Sequence, residues 1–223
     1  MPIQDELDEL EAELDGCEAL RLHALGQMQE AAIRGLVYES IILRASRAHE
    51  NFIEQVFLSY LTGDRTTEGN LVPAFASPRD RSHARRLLSS SASSRFLDWS
   101  ESSDVRARCD VFFEPDSPIY NAVLLKSSDL AWMKKIRNQA AHDSVESRLA
   151  FTKVLEVVLL TLPQPLPTAG EFLQRTPRNG PIKNREVLAY FLDSLRTFAQ
   201  IAAGKPTLGY SADRPSLMSA RAG

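Results

Sequence analysis

A chain of 223 residues with 43% hydrophobic and 25% charged side chains carries enough apolar material for a proper core, and its formal net charge of −3 excludes binding of nucleic acid through bulk positive charge. The two cysteines, Cys17 and Cys109, have no C-x-x-C spacing, which excludes a disulfide framework and fits a reducing compartment. The acidic start lacks a basic n-region and an apolar h-region, and apolar runs such as 157–160 are far too short for a bilayer, so a cytoplasmic protein with no membrane partner is expected.

The first 18 residues hold eight acidic side chains (Asp5, Glu6, Asp8, Glu9, Glu11, Glu13, Asp15 and Glu18) and no basic one. Ile3, Leu7, Leu10, Leu14 and Cys17 recur at spacings of four and three, a heptad-like seam on one side of a helix. Such a seam packs on its own domain or pairs with a partner helix, and the residues leave both open. The helical pattern continues from about 27 to 61, with Leu36, Ile41, Leu43, Phe52, Ile53, Val56, Phe57 and Tyr60 as apolar surface and Gly63 as the stop. Residues 62–78 read as a loop. A short basic helix follows from 79 to about 88, broken by the serine cluster at 89–94, which reads as a linker.

Residues 104–113 form another short helix, ended by Pro115 and Pro118. Ser127 or Ser128 can cap the next helix with Asp129 in its first turn, and that helix runs to His142, where Asp143 and Ser144 offer a break and a new cap. The stretch 144–162 is strongly apolar, with Leu149, Phe151, Val154, Leu155, Val158, Leu159 and Leu162, and ends at Pro163, Pro165 and Pro167. A last helix is expected over 184–203, with Val187, Leu188, Phe191, Leu195 and Phe198 on one side and Gly204 closing it; the tail after Pro206 is polar and expected to be mobile. No alternating strand and no internal repeat is visible. The expected fold is all-α, a helical bundle divided as an acidic N-terminal helix (1–33), the bundle itself (34–162), and a Pro-rich connection, helix and tail (163–223).

Charge is split along the chain. Opposite the acidic start stands a basic middle containing Arg79, Arg81, Arg85, Arg86, Arg95, Arg106, Arg108, Lys126, Lys134, Lys135 and Arg137, where a polyanion would bind. The acidic helix lying over this region as a mimic of that polyanion is one reading of the split; a solvated helix face is the other.

Within that middle, IRNQAAH at 136–142 places an arginine, an amide and a histidine within six residues. Arginine neutralises phosphate through a two-pronged contact, and histidine is the side chain best suited to moving protons near neutral pH. On an ideal helix Lys134, Asn138 and His142 share a face, Lys135 lies near it, and Leu130, Met133, Ile136 and Ala140 form a core face. Arg137 sits about 140° round the axis from His142. One straight helix therefore does not aim Arg137 and His142 at one point, whereas a second copy across a two-fold axis brings two of each into one cleft. The same spacing occurs in Arg44–His49, which reads as a solvated mid-helix face where Glu50 and Glu54 pair with Arg44, Arg47 and His49. His23, His49, His83 and His142 are too scattered for a metal-ligand motif, and no phosphate-binding glycine loop occurs, so neither metal nor cofactor is expected.

A long helix ending ENFIEQVFLSYLTG, then LDWSESSDVRARCDVFF, then LAWMKKIRNQAAHDS resembles the HEPN superfamily, nearest its RiboL-PSP-HEPN or MAE-like nuclease branch. The resemblance covers roughly 34–162 and rests on an arginine, four to six residues, then a histidine, with a polar residue after the arginine. It implies a helical bundle that acts as a metal-independent endoribonuclease, a homodimer with a shared active site, and a place in a prokaryotic toxin–antitoxin or anti-phage defence system with an antitoxin or defence partner. Residue by residue it carries over Arg137, Asn138 and His142 as the catalytic set, with Glu50 or Glu54 as an assisting acid. RNA backbone would be held by Lys134 and Lys135. Cleavage would leave a 2′,3′-cyclic phosphate and a 5′-hydroxyl. Two other expectations compete: a non-catalytic HEPN binding module partnered with a nucleotidyltransferase or another defence protein, and a helical scaffold that oligomerises through the N-terminal seam.

Overall fold

The computed structural model describes residues 2–91, 97–142 and 144–205. It is all-α: among the described residues eight helices and two isolated bridge pairs, Arg65 with Leu71 and Ala74 with Phe113, account for the regular structure. The helices are α1 (Ile3–Gln27), α2 (Ala31–Leu61), α3 (Arg81–Ser91), α4 (Ser102–Phe112), α5 (Pro118–Ala141), α6 (Val145–Leu159), α7 (Ala169–Leu173) and α8 (Val187–Ala202). None of them is long and apolar enough to cross a membrane. Asp143, Arg95, residues 92–94 of the serine cluster and the tail from Pro206 onward lie outside the described residues.

The axis of the bundle is α2, whose 31 residues span about 46 Å at 1.5 Å per residue. Tyr38, Ile41, Ile42, Ala45, Phe52, Ile53, Val56 and Phe57 are buried along it at helical spacing, and α1, α3, α5, α7 and α8 all pack against it. Burying both flanks of one long helix in this way makes its apolar positions outnumber a single stripe. Leu36 departs from the expected pattern: it is 67% exposed, and Gly35 takes the inward position beside it. That exchange has a steric reason. A Cβ on Gly170 would lie 2.3 Å from the Gly35 carbonyl oxygen, so α2 and α7 cross backbone to backbone, with Gly170 N–H donating to Glu39 Oε1 at 2.8 Å.

The N-terminal seam turns inward on its own chain. Ile3, Leu7, Leu10, Leu14 and Cys17 are all buried, and α1 packs on α2 and α8. Its acidic side chains make scattered ion pairs rather than one plate: Glu6 with Arg81, Glu13 with Arg44, Asp15 with Arg196, and Glu18 with Arg21. Helix α8 is the most cleanly amphipathic element. Val187, Leu188, Phe191, Leu192, Leu195, Phe198 and Ala199 enter the core, as expected for most of them, against α5, α2 and α1. Buried residues from all three sequence stretches belong to one continuous hydrophobic cluster.

Two boundaries differ instructively from the sequence reading. Helix α5 starts at Pro118 rather than near Ser127, because Pro118 occupies the first turn, where a missing N–H costs nothing, and the Ser117 hydroxyl accepts from Tyr120 N–H. The proline read as a stop is a start. Asp129 consequently sits in mid-helix, where it accepts from Tyr190 Oη at 2.8 Å and Ser194 Oγ at 2.6 Å and clasps α8 to α5. On α6, which stops at Leu159, Leu149 is 61% exposed and faces outward with Val145 and Val157, while Phe151, Val154, Leu155 and Val158 are buried.

Candidate functional site

The corner between α5 and α6 carries the arginine–histidine motif. Leu130, Met133 and Ile136 anchor α5 in the core as the helical spacing predicts, which fixes the azimuth of the residues between them. Arg137 emerges at the edge of that apolar face and reaches α2. Its Nη2 lies 2.6 Å from Glu50 Oε1, and its Nη1 donates to Asn138 Oδ1 at 3.1 Å. Glu50 and Arg137 are both about a quarter exposed, so the pair sits at the boundary of the core with one side open to solvent. The guanidinium fork is thus braced from two directions, by a carboxylate on the neighbouring helix and an amide on its own.

His142 occupies a different setting. It is the C-cap of α5, with φ −144° and ψ 123°, and it is exposed. Its N–H still closes the last helical turn on the Asn138 carbonyl at 2.9 Å, and its own carbonyl accepts from Ser147 Oγ at 2.6 Å. The imidazole itself has no hydrogen-bond or ion-pair partner among the described residues. Because φ has left the helical range, the ideal projection of 140° no longer sets the direction of this side chain. Ser144 and Ser147 form a reciprocal capping box at the start of α6, so the backbone on the far side of the corner is fixed as well.

The remaining sequence-named residues divide. Glu50 reaches Arg137, whereas Glu54 turns to Arg85 on α3 at 2.9 Å. Neither pairs with Arg44 or Arg47, contrary to the solvated-face reading; Arg44 instead bonds Glu13 of α1. Lys134 bridges Asp98 at 3.4 Å and Glu101 at 3.0 Å, acids contributed by the segment leading into α4. Burial opposes the charge on Lys134, but the hydrogen bond to Glu101 and the fields of both acids outweigh it and hold its pKa above the ordinary lysine value. Lys135 is half-buried, with no ion-pair partner among the described residues. Of the two candidate phosphate-holding lysines, one is already neutralised by neighbours and the other is available. Asn138, which shares a face with His142 on an ideal helix, bonds Arg137 instead.

The largest departure concerns His49. The expected surface position is 3% exposed, its ring packed edge-on against Phe198 of α8 at 4.5 Å between centroids. Burial drives its pKa down to about 3, so it is a neutral core histidine at physiological pH. The signal was present in the sequence: His49 falls in register with Ala45, Ser46, Phe52, Ile53 and Val56, all inward-facing on α2. Ser46, His49 and Trp99 line a small cavity directly against Glu50 and Arg137, and none of the three entered the sequence reading as a site residue. Comparison with models of known families, with curated proteins and with solved structures returned no match.

Proposed function

We propose that the chain is a HEPN-type endoribonuclease that cuts RNA without a metal ion, with Arg137 and His142 as its catalytic residues. The observation that carries the reading is the Arg137–Glu50 pair: a guanidinium held in a partly open position at the edge of the core, five residues before an exposed histidine whose ring has no partner among the described residues. In the reaction the 2′-hydroxyl of one nucleotide attacks the adjacent phosphorus and the 5′-oxygen leaves. The phosphorus keeps a new bond to the 2′-oxygen, giving the 2′,3′-cyclic phosphate, and the departing oxygen takes a proton to become the 5′-hydroxyl. His142 takes the proton from the nucleophile or supplies the one to the leaving group. Arg137 faces the charge that builds on the phosphorane oxygens, Glu50 and Asn138 keep its fork aimed, and Lys135 holds flanking backbone.

A single chain holds one such histidine, and acid–base chemistry on both oxygens calls for two proton-transfer groups. The homodimer supplies the second. Val145 and Leu149, one turn apart at the start of α6 just after His142, are both exposed, which supports an interface there. The biological setting that fits is a toxin–antitoxin or anti-phage system in the cytoplasm.

The second reading, a non-catalytic HEPN module that binds a defence partner or a nucleotidyltransferase, is favoured by one specific observation: the Arg137 fork is already engaged by Glu50 and Asn138, and Lys134 by two acids. One assay separates them. Purified protein is incubated with end-labelled single-stranded RNA and DNA, with and without EDTA. RNA-only cleavage that survives EDTA, leaves cyclic phosphate ends and is lost in Arg137→Ala and His142→Ala supports the nuclease. Intact RNA, or cleavage that needs a metal or cuts DNA equally, sinks it.

A further inference from the structure

The Glu50–Arg137 pair forms one wall of a cavity of about 20 Å³ between α2, α5, the start of α4 and the segment that leads into it. Six buried side-chain polar atoms among the described residues have no hydrogen-bond partner in the protein, and three of them, Ser46 Oγ, His49 Nε2 and Trp99 Nε1, belong to residues that line this one cavity. Orphaned polar atoms are rare in folded interiors because desolvation without a replacement bond is unfavourable, so three around one small space call for a shared partner. Their chemistry is complementary. The indole N–H only donates, the hydroxyl does both, and the neutral imidazole accepts at Nε2 when its proton rests on Nδ1. A buried water needs two to four polar partners and roughly 10–15 Å³ of space. The cavity meets both conditions and is too small for an organic ligand.

We propose that Ser46, His49 and Trp99 bind one ordered water directly behind the Glu50–Arg137 pair, and that these three side chains are positioning residues for Arg137. Trp99 Nε1–H donates to the water oxygen, and the water donates to His49 Nε2 and Ser46 Oγ. Ser46 lies one turn before Glu50 on α2 and His49 immediately precedes it, so locking both side chains on that face fixes the azimuth from which Glu50 meets the guanidinium. Edge-on packing against Phe198 of α8 holds the His49 ring in place. The role assigned to Arg137 rests on the ribonuclease reading; the water site does not.

The test uses the full-length protein in solution by NMR. The expected result is a cross-peak between the Trp99 indole N–H and a long-lived water, lost in Ser46→Ala and in His49→Phe. Ser46→Ala, the milder substitution, is also expected to speed exchange of the Arg137 guanidinium protons by about fivefold, since local opening governs that rate. In the cleavage assay it lowers kcat by about tenfold with KM within twofold, because a loosened Arg137 loses transition-state alignment and not ground-state contact. A dry cavity overturns the water site. Unchanged Arg137 exchange in folded Ser46→Ala overturns the positioning role. Wild type that cuts no RNA counts against the ribonuclease reading alone, and the cross-peak and exchange rates then decide this inference by themselves.

Discussion

The chain contains the same five-residue step from arginine to histidine twice, and the fold uses the two copies in opposite ways. In Arg44–His49 the histidine points into the core and the arginine lies at the surface, paired with Glu13. In Arg137–His142 the arginine is the half-buried partner, pinned by Glu50, and the histidine is exposed at the end of its helix. A five-residue step turns about 140° round a helix, so both members cannot face the core together, and the neighbours decide which one does. On α2 the register set by Ala45, Phe52 and Val56 pulls His49 inward; on α5 the register of Met133 and Ile136 leaves Arg137 at the edge and lets the helix end at His142. Spacing identifies a pair of residues, and the surrounding apolar register assigns their jobs.

Four perturbations sharpen or break this contrast. The largest effect belongs to the second pair: His142→Ala is expected to lower RNA cleavage by about 10²–10⁴-fold, the usual worth of a general acid or base, while moving the melting midpoint little because the side chain is exposed. Equal loss of cleavage in folded His49→Phe would erase the distinction between the copies. The second effect is on stability. His49→Ala removes a core ring packed on Phe198, and urea unfolding should show about 2–4 kcal/mol of destabilisation; a loss under about 0.5 kcal/mol would place His49 outside the core.

The third is a pH effect with a definite sign. The folded pKa of His49 lies at about 3 against an ordinary 6.5, so between those values the unfolded chain takes up a proton that the native state refuses. Stability from this group is complete above about pH 6.5 and is lost as pH falls towards 3, with a slope approaching about 1.4 kcal/mol per pH unit. Denaturant titrations between pH 4 and 7 should show a shallower acid limb in His49→Phe than in wild type; parallel limbs would contradict the burial. The smallest effect is Arg44→Ala, which removes an exposed, solvent-screened ion pair and should leave the urea midpoint and the rate of cleavage unchanged.

The sequence made the helical class legible because the apolar periodicity of α2, α6 and α8 is strong. The seam of α1 was legible as a seam, but whether its partner was this chain or another depended on α2 and α8, whose placement no local pattern encodes. Pro118 misled because a proline both ends and begins helices, and only the Ser117 cap distinguishes the two. At the candidate site Arg137 and His142 stood out by residue type. Asn138 was read towards the histidine and bonds the arginine, since a side chain one position away competes with one four away once the arginine bends back over its own helix. Glu50 was one of two acids named, and the choice between it and Glu54 needed the crossing of α2 with α5. Trp99 could not be foreseen, because its cavity is assembled from three separate stretches of chain.

The clasp formed by Asp129 with Tyr190 and Ser194 bears on where the protein may be shortened. A chain ended near Pro163 would keep every residue of the motif and the whole region that carries the family resemblance. It would also strip α8 from α5 and uncover His49 and the core face of α5. The boundary of a recognisable signature and the boundary of a foldable unit are therefore different places in this molecule, and a fragment chosen by the first would be expected to aggregate before it could be assayed.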